Sequence, residues 1–174
     1  MAETAIIVPV PEAEPIVGRW RRRYTPSGAA GMPAHITLLV PFTDSDLLGA
    51  DRTRGVEEVL ARFGPIDLAL AAAGYFEGPP MVLYLEPAPA EPFRAMTAAL
   101  VSAFPEHPPY GDAHVDIVPH LTVATRLERE RLAAIEAEVA AALPITARPS
   151  EAWLMEYADE AWRLRNRFAF AAAT

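Results

Sequence analysis

The sequence predicts an α+β fold made by duplicating one β-α-β-α-β unit, and three observations predict it. A His-x-Thr step heads an apolar strand twice, as His35-Ile36-Thr37-Leu38 and as His120-Leu121-Thr122-Val123. A Pro-x-Pro turn followed by Glu-Pro also occurs twice, in PVPEAEPIVGRW and in PAPAEPFRAM. The hydrophobic period runs in the same order in both halves: strand, helix, His-x-Thr strand, helix, strand. The repeats span about residues 5–77 and about 81–171 of one domain of 174 residues. A duplicated unit tends to pack about a pseudo-two-fold axis, which would bring the two His-x-Thr strands side by side at the centre.

Each element is set by its local pattern. AIIVPVP, 5–11, is an apolar run closed by prolines and reads as the first strand. Ile16, Val17, Trp20 and Tyr24 fall near helical spacing, and proline is tolerated at the helix opening because its missing N–H would be unpaired anyway. Arg19, Arg21, Arg22 and Arg23 on this helix read as a solvated face rather than a nucleic-acid contact, since the rest of the chain is acidic. TPSGAAGMPA, 25–34, has the Gly, Pro and Ser content of a loop. After the His35 strand, Val56, Val59, Leu60 and Phe63 stripe a helix that Gly64-Pro65 ends. IDLALAAAGYF, 66–76, is a strand broken by Gly78-Pro79-Pro80.

The second half opens with the strand MVLYLEP, 81–87, and a helix striped by Phe93, Met96, Leu100 and Phe104. A Pro-rich loop, 106–119, leads to His120, with Pro119 holding Val118 extended. Leu132, Ile135, Val139 and Leu143 mark a helix over 128–143, and SEAWLMEY and AWRLRNRFAF give two closing strands. In the last strand Trp162, Leu164, Phe168 and Phe170 alternate with Arg163, Arg165 and Arg167. A solvated edge is the default reading of those arginines; the sharper one is the wall of an anion-binding cleft.

Composition bounds the function. An apolar fraction of 52% supplies a globular interior, and no window approaches the ~18 uninterrupted apolar residues of a membrane span. The opening MAETAIIVPVPEAEP lacks the basic n-region of a signal peptide. Cysteine is absent, which excludes disulfides, a thiol nucleophile and thiolate metal sites. The expected compartment is the cytoplasm. A net charge of −8 argues against an extended nucleic-acid surface, which needs basic residues to neutralise phosphates. It allows a small phosphorylated ligand in a locally basic cleft. All 15 basic residues are arginine, so no Schiff-base or P-loop lysine is possible. The expectation is a monomer with no cofactor and no membrane partner.

The repeated motif carries chemistry. Strand side chains alternate faces, so His35 and Thr37 share one face while Ile36 and Leu38 share the other. His120, Thr122, Ala124 and Arg126 likewise oppose Leu121 and Val123. A lone His in a strand is usually structural and Thr is a good strand former; two such steps in a repeated framework, in a chain with 4 His, are a different matter. Two imidazoles facing one cleft suit a reaction that needs one base and one acid near neutral pH. Two Thr hydroxyls can donate to non-bridging phosphoryl oxygens. In-line displacement at phosphorus fits, and it needs no metal if His, Thr and Arg stabilise the charge.

HITL and HLTV, set in two β-α-β-α-β halves, resemble the paired signatures of the two-histidine (2H) phosphoesterase superfamily, and in particular its bacterial 2′-5′ RNA ligase-like branch. PHLTVA with the preceding PPYGDAHVD adds to the resemblance, which covers essentially the whole chain. It implies two lobes of mainly antiparallel sheet with outer helices around a central V-shaped cleft. It also implies metal-independent attack on 2′,3′-cyclic phosphates of nucleotides or RNA ends. Carried over, His35 and His120 become the acid–base pair, with His120 as base towards water and His35 as acid towards the departing oxygen. Thr37 and Thr122 become the phosphoryl-oxygen donors. One departure is Leu39, where several RNA ligase-like members carry a basic residue in HxTLRF; Arg126, on the His120 face, is the expected substitute as a substrate-binding residue.

Two rival readings remain. His114, Asp116 and His120, with Asp112 nearby, could be imagined as ligands of a metal-dependent hydrolase, although their spacing matches no established motif. Alternatively the chain is a nucleotide- or phosphate-binding module with little catalysis. Turnover of a 2′,3′-cyclic nucleotide separates the last reading from an enzyme, and chelator insensitivity separates the first.

Overall fold

The computed structural model describes residues 3–108 and 117–172. Within them, two four-stranded sheets are antiparallel throughout. The elements are β1 (Glu3–Pro9), α1 (Glu14–Tyr24), α2 (Pro26–Ala29), β2 (His35–Leu39), α3 (Ala50–Leu60), β3 (Leu68–Phe76) and β4 (Val82–Ala88). They continue with α4 (Glu91–Ala103), β5 (Leu121–Thr125), α5 (Arg129–Ala140), β6 (Ile145–Ala147), β7 (Glu151–Ala158) and β8 (Ala161–Ala169). The α+β class and the antiparallel character are as expected, and the helical stripes lie inward: Val17 and Trp20 of α1, Phe93 and Met96 of α4, and Leu132 and Ile135 of α5 are all buried.

The first sheet runs β2-β1-β7-β8 and the second β5-β4-β3-β6. Each sheet therefore takes strands from both repeats: β3, the third strand of the first half, pairs with β4, and β7 of the second half pairs with β1. β2 and β5 are left at the facing edges, side by side across the junction. The helices cross over too, with α1 packed on β5 and α4 on β2. One apolar core joins the two halves, running from Ile6 and Val8 on β1 to Leu83 and Leu85 on β4.

Three local features depart from the sequence pattern. The 25–34 loop contains α2, capped by Thr25, whose hydroxyl accepts from the Gly28 N–H at 2.9 Å. A three-residue strand, β6, precedes the two closing strands and pairs with β3. The third is a bulge in β5 and its counterpart in β2. Ile6 pairs with Leu39 and Ile7 with Thr37, which skips Leu38; Leu83 pairs with Ala124 and Tyr84 with Thr122, which skips Val123. An inserted residue shifts the side-chain phase of every position beyond it. Both bulges sit on the residue after the motif threonine.

The closing strand is likewise shifted. β8 skips Arg165 opposite the Leu154–Met155 step, and Leu164 is exposed while Phe168 and Phe170 are buried. Arg163, Arg165 and Arg167 pair on the surface with Asp159, Glu156 and Glu151 at 3.2, 3.2 and 3.1 Å. They are the solvated edge and not a cleft wall.

Candidate active site

A cavity of about 580 Å³ opens where β2 meets β5, and His35, Thr37, His120 and Thr122 all line it. The alternation of the strands places His and Thr on the cleft side and Ile36, Leu121, Leu38 and Val123 in the core. Beyond the threonines the bulges decide which residues face the cleft. Val40 and Thr125, five residues after each histidine, face the cavity, while Leu39 and Ala124 stay buried.

Each histidine is held the same way. The ring Nδ1 of His35 lies 2.7 Å from the Pro33 carbonyl, and that of His120 lies 2.7 Å from the Val118 carbonyl, in both cases two residues upstream. A carbonyl only accepts, so Nδ1 carries the proton and the Nε2 lone pair is left available. His35 Nε2 accepts from the Thr37 hydroxyl at 3.1 Å. The His120 ring is fixed from the side by Phe76, edge-on at 4.8 Å, and by Tyr84 at 5.5 Å, which themselves stack at 4.2 Å. Gly74 makes room for that stack, because a Cβ there would lie 2.7 Å from the Tyr84 ring.

Arg21 is the residue that sequence reasoning misassigned. It is 1% exposed and lines the cavity, whereas the other three arginines of α1 behave as a surface: Arg19 pairs with Glu138, Arg22 with Glu14, and Arg23 lies over the Tyr24 ring. Arg21 Nη1 donates to the Thr122 carbonyl at 2.6 Å, and Nη2 donates to the Pro33 carbonyl at 3.1 Å. One guanidinium thus ties the second motif to the residue whose carbonyl anchors His35. The signal was present: Arg21 stands four residues after Val17 and one after Trp20, on the buried stripe. Gly28 keeps α2 close to it, since a Cβ there would lie 2.5 Å from the Arg21 carbonyl oxygen.

These contacts set the electrostatics. Burial lowers the Arg21 pKa to about 10, which leaves it charged at neutral pH. Burial, and then the Arg21 charge with Nη2 at 3.5 Å from Nδ1, lowers His35 to about 3. His120 is also lowered, by burial. Both rings are therefore neutral in the free protein at neutral pH.

Arg126 is not among the residues that line this cavity. It lies beyond the bulge and adopts a left-handed φ of 60°, it is exposed, and Thr125 takes the cleft position instead. The expectation that Arg126 binds substrate assumed a regular strand. Of the metal-site candidates, Asp112, His114 and Asp116 lie outside the described residues. Among the described residues no three His, Cys, Asp or Glu side chains gather, and no helix is long and apolar enough to cross a membrane.

The comparisons with known proteins agree with this fold. The solved structure of TT0787 from Thermus thermophilus superposes with a TM-score of 0.66 at 17% identity, covering 99% of this chain and 100% of that one. E. coli LigT complexed with 3′-AMP gives 0.59 at 16% identity, covering 97% of each chain. In sequence, a "Putative phosphoesterase" of Bacillus pumilus (strain SAFR-032) is 30% identical over 122 residues, 70% of this chain and 68% of that protein. The class is that of the phosphoesterases. More narrowly, the chain belongs to the 2′-5′ RNA ligase superfamily, the 2H phosphoesterases, whose family model matches residues 8–161.

Proposed function

We propose that this chain hydrolyses 2′,3′-cyclic phosphates of nucleotides or RNA ends without a metal ion, with His35 and His120 as the acid–base pair. The observation that carries the reading is the paired anchoring: two histidines, each with Nδ1–H on the carbonyl two residues upstream, lining one cleft with a threonine two residues on. That E. coli LigT has been crystallised with 3′-AMP and with phosphate supports a nucleotide-sized phosphate ligand for this cleft.

In the mechanism, His120 takes a proton from water as its oxygen bonds to phosphorus. His35 gives a proton to the ester oxygen as the phosphorus–oxygen bond breaks, so charge and atoms balance. Arg21 suits His35 to the second role: a neighbouring positive charge disfavours the imidazolium and makes it the stronger acid. The bound phosphate anion supplies the opposing field that lets His35 load its proton. Loading also releases Thr37, whose hydroxyl no longer needs to donate to Nε2 and can turn to a non-bridging oxygen alongside Thr122. These donors and Arg21 stabilise the transition state where a metal would otherwise act.

The test is a hydrolysis screen with EDTA present, across 2′,3′-cyclic mononucleotides, ADP-ribose cyclic phosphate and short RNAs with cyclic ends. Turnover that survives chelation is expected. Loss of activity on chelation, restored by a divalent cation, or no turnover of any cyclic phosphate, overturns the reading.

A further inference from the structure

We propose that the cleft selects a compact phosphodiester bearing a single negative charge and an uncharged, apolar-faced organic group, and rejects substrates that carry a further phosphate. The inference rests on the phosphodiesterase reading and narrows its substrate to the cyclic phosphates of single nucleosides, setting RNA ends aside. Its first support is the distribution of charge. Arg21 is the only one of the 15 arginines that lines the cleft among the described residues. Residues 1–2, 109–116 and 173–174 contain neither Arg nor Lys, so no further guanidinium or ammonium side chain lies outside the described residues. Arg21 is moreover engaged with the Thr122 and Pro33 carbonyls. One guanidinium matches one phosphodiester charge, and among the described residues no second arginine lines the cleft to pair a second phosphate, in a chain of net charge −8.

The second support is what lines the rest. On the cleft face of the first sheet, away from the main core, Ala5, Ile7 and Met32 form a separate buried apolar cluster with Val40 and Trp162 packed against it. All five also line the cavity. Trp162 is half-buried at the start of β8 and is pinned there by its backbone N–H on the Ala30 carbonyl at 2.8 Å. The volume of about 580 Å³ falls in the ~300–1,000 Å³ range of pockets that enclose a small molecule. The cleft thus offers a charged end at the His-x-Thr strands and an apolar floor that ends at Trp162.

The test compares 2′,3′-cyclic AMP with the same molecule carrying a 5′-phosphate. Affinity is measured by calorimetry on a His35→Ala/His120→Ala protein, and kcat/KM on the wild type. The added phosphate should weaken binding by about tenfold or more and lower kcat/KM in step. Trp162→Ala should raise KM more than it lowers kcat, and Trp162→Leu, which keeps an apolar floor, should recover part of the loss. Equal or tighter binding of the 5′-phosphorylated form overturns the proposal, as does a KM that Trp162→Ala and Trp162→Leu both leave unchanged. Absence of turnover with the stated order of affinities would overturn the phosphodiesterase reading alone.

Discussion

Replacing Arg21 with methionine removes a side chain that bridges the two motifs, and the structure sets the size of the effect. Three carbonyls lose a charged donor, Thr122 O at 2.6 Å, Pro33 O at 3.1 Å and, at the long limit, Met32 O at 3.4 Å. A buried acceptor left unpaired costs about 1–3 kcal/mol, partly offset because a buried charge no longer has to be kept out of water. The net loss should be about 2–4 kcal/mol, a large share of the ~5–15 kcal/mol that holds a domain folded. It is read as a shift in the urea midpoint. Activity on a cyclic phosphate should fall about 100-fold, the scale expected when reacting groups shift by ~1 Å. The His35 ring should titrate above its present value of about 3 by NMR, yet below an ordinary histidine, because burial persists. Arg21→Lys separates the two effects. It keeps a charge beside His35 but cannot span these carbonyls, so the titration should move little while stability still falls. Arg21→Met with wild-type stability and an unmoved His35 titration would refute the bridging role.

The same geometry sets further expectations. His35→Ala and His120→Ala should each lower kcat/KM by about 10²–10⁴, with the double variant falling less than the product of the two; near-full activity in either single variant sinks the two-histidine mechanism. Both histidines titrate below their ordinary range in the folded state, so the unfolded chain binds more protons in acid. Stability should be complete above pH ~6.5 and drain away as pH falls towards 3, by up to a few kcal/mol, as followed by urea unfolding across that window. Gly74→Ala should push Tyr84 and hence Phe76 and His120, lowering kcat with a stability loss of about 1–3 kcal/mol. Arg126→Ala should leave kcat and KM within about twofold of wild type, as a surface substitution should; a clear rise in KM would return that residue to the cleft.

The helices and most strands were legible because hydrophobic period alone specifies them: Phe93, Met96 and Leu100 are inward wherever that helix packs. The motif pairs were legible because alternation fixes His and Thr on one face over two residues. Over five residues it fails. The bulges at Leu38 and Val123 arise from pairing with β1 and β4, partners that a single strand's pattern does not reveal, and this is why Thr125 and not Arg126 reaches the cleft. Arg21 was hidden by the opposite error. A charge on an apolar stripe was counted with its solvated neighbours, when its position beside Trp20 marked it as buried. Trp162 and Phe76 fell inside runs that any apolar core could use, so nothing local distinguished a cleft-lining ring from a packed one.

The exchange of strands between the sheets bears on how such a molecule can be cut. A chain severed in the Gly78–Pro80 linker leaves each half with a strand whose hydrogen-bonding partner belongs to the other: β3 without β4, and β7 without β1. Neither fragment can satisfy its backbone alone, yet each presents the edge that the other needs.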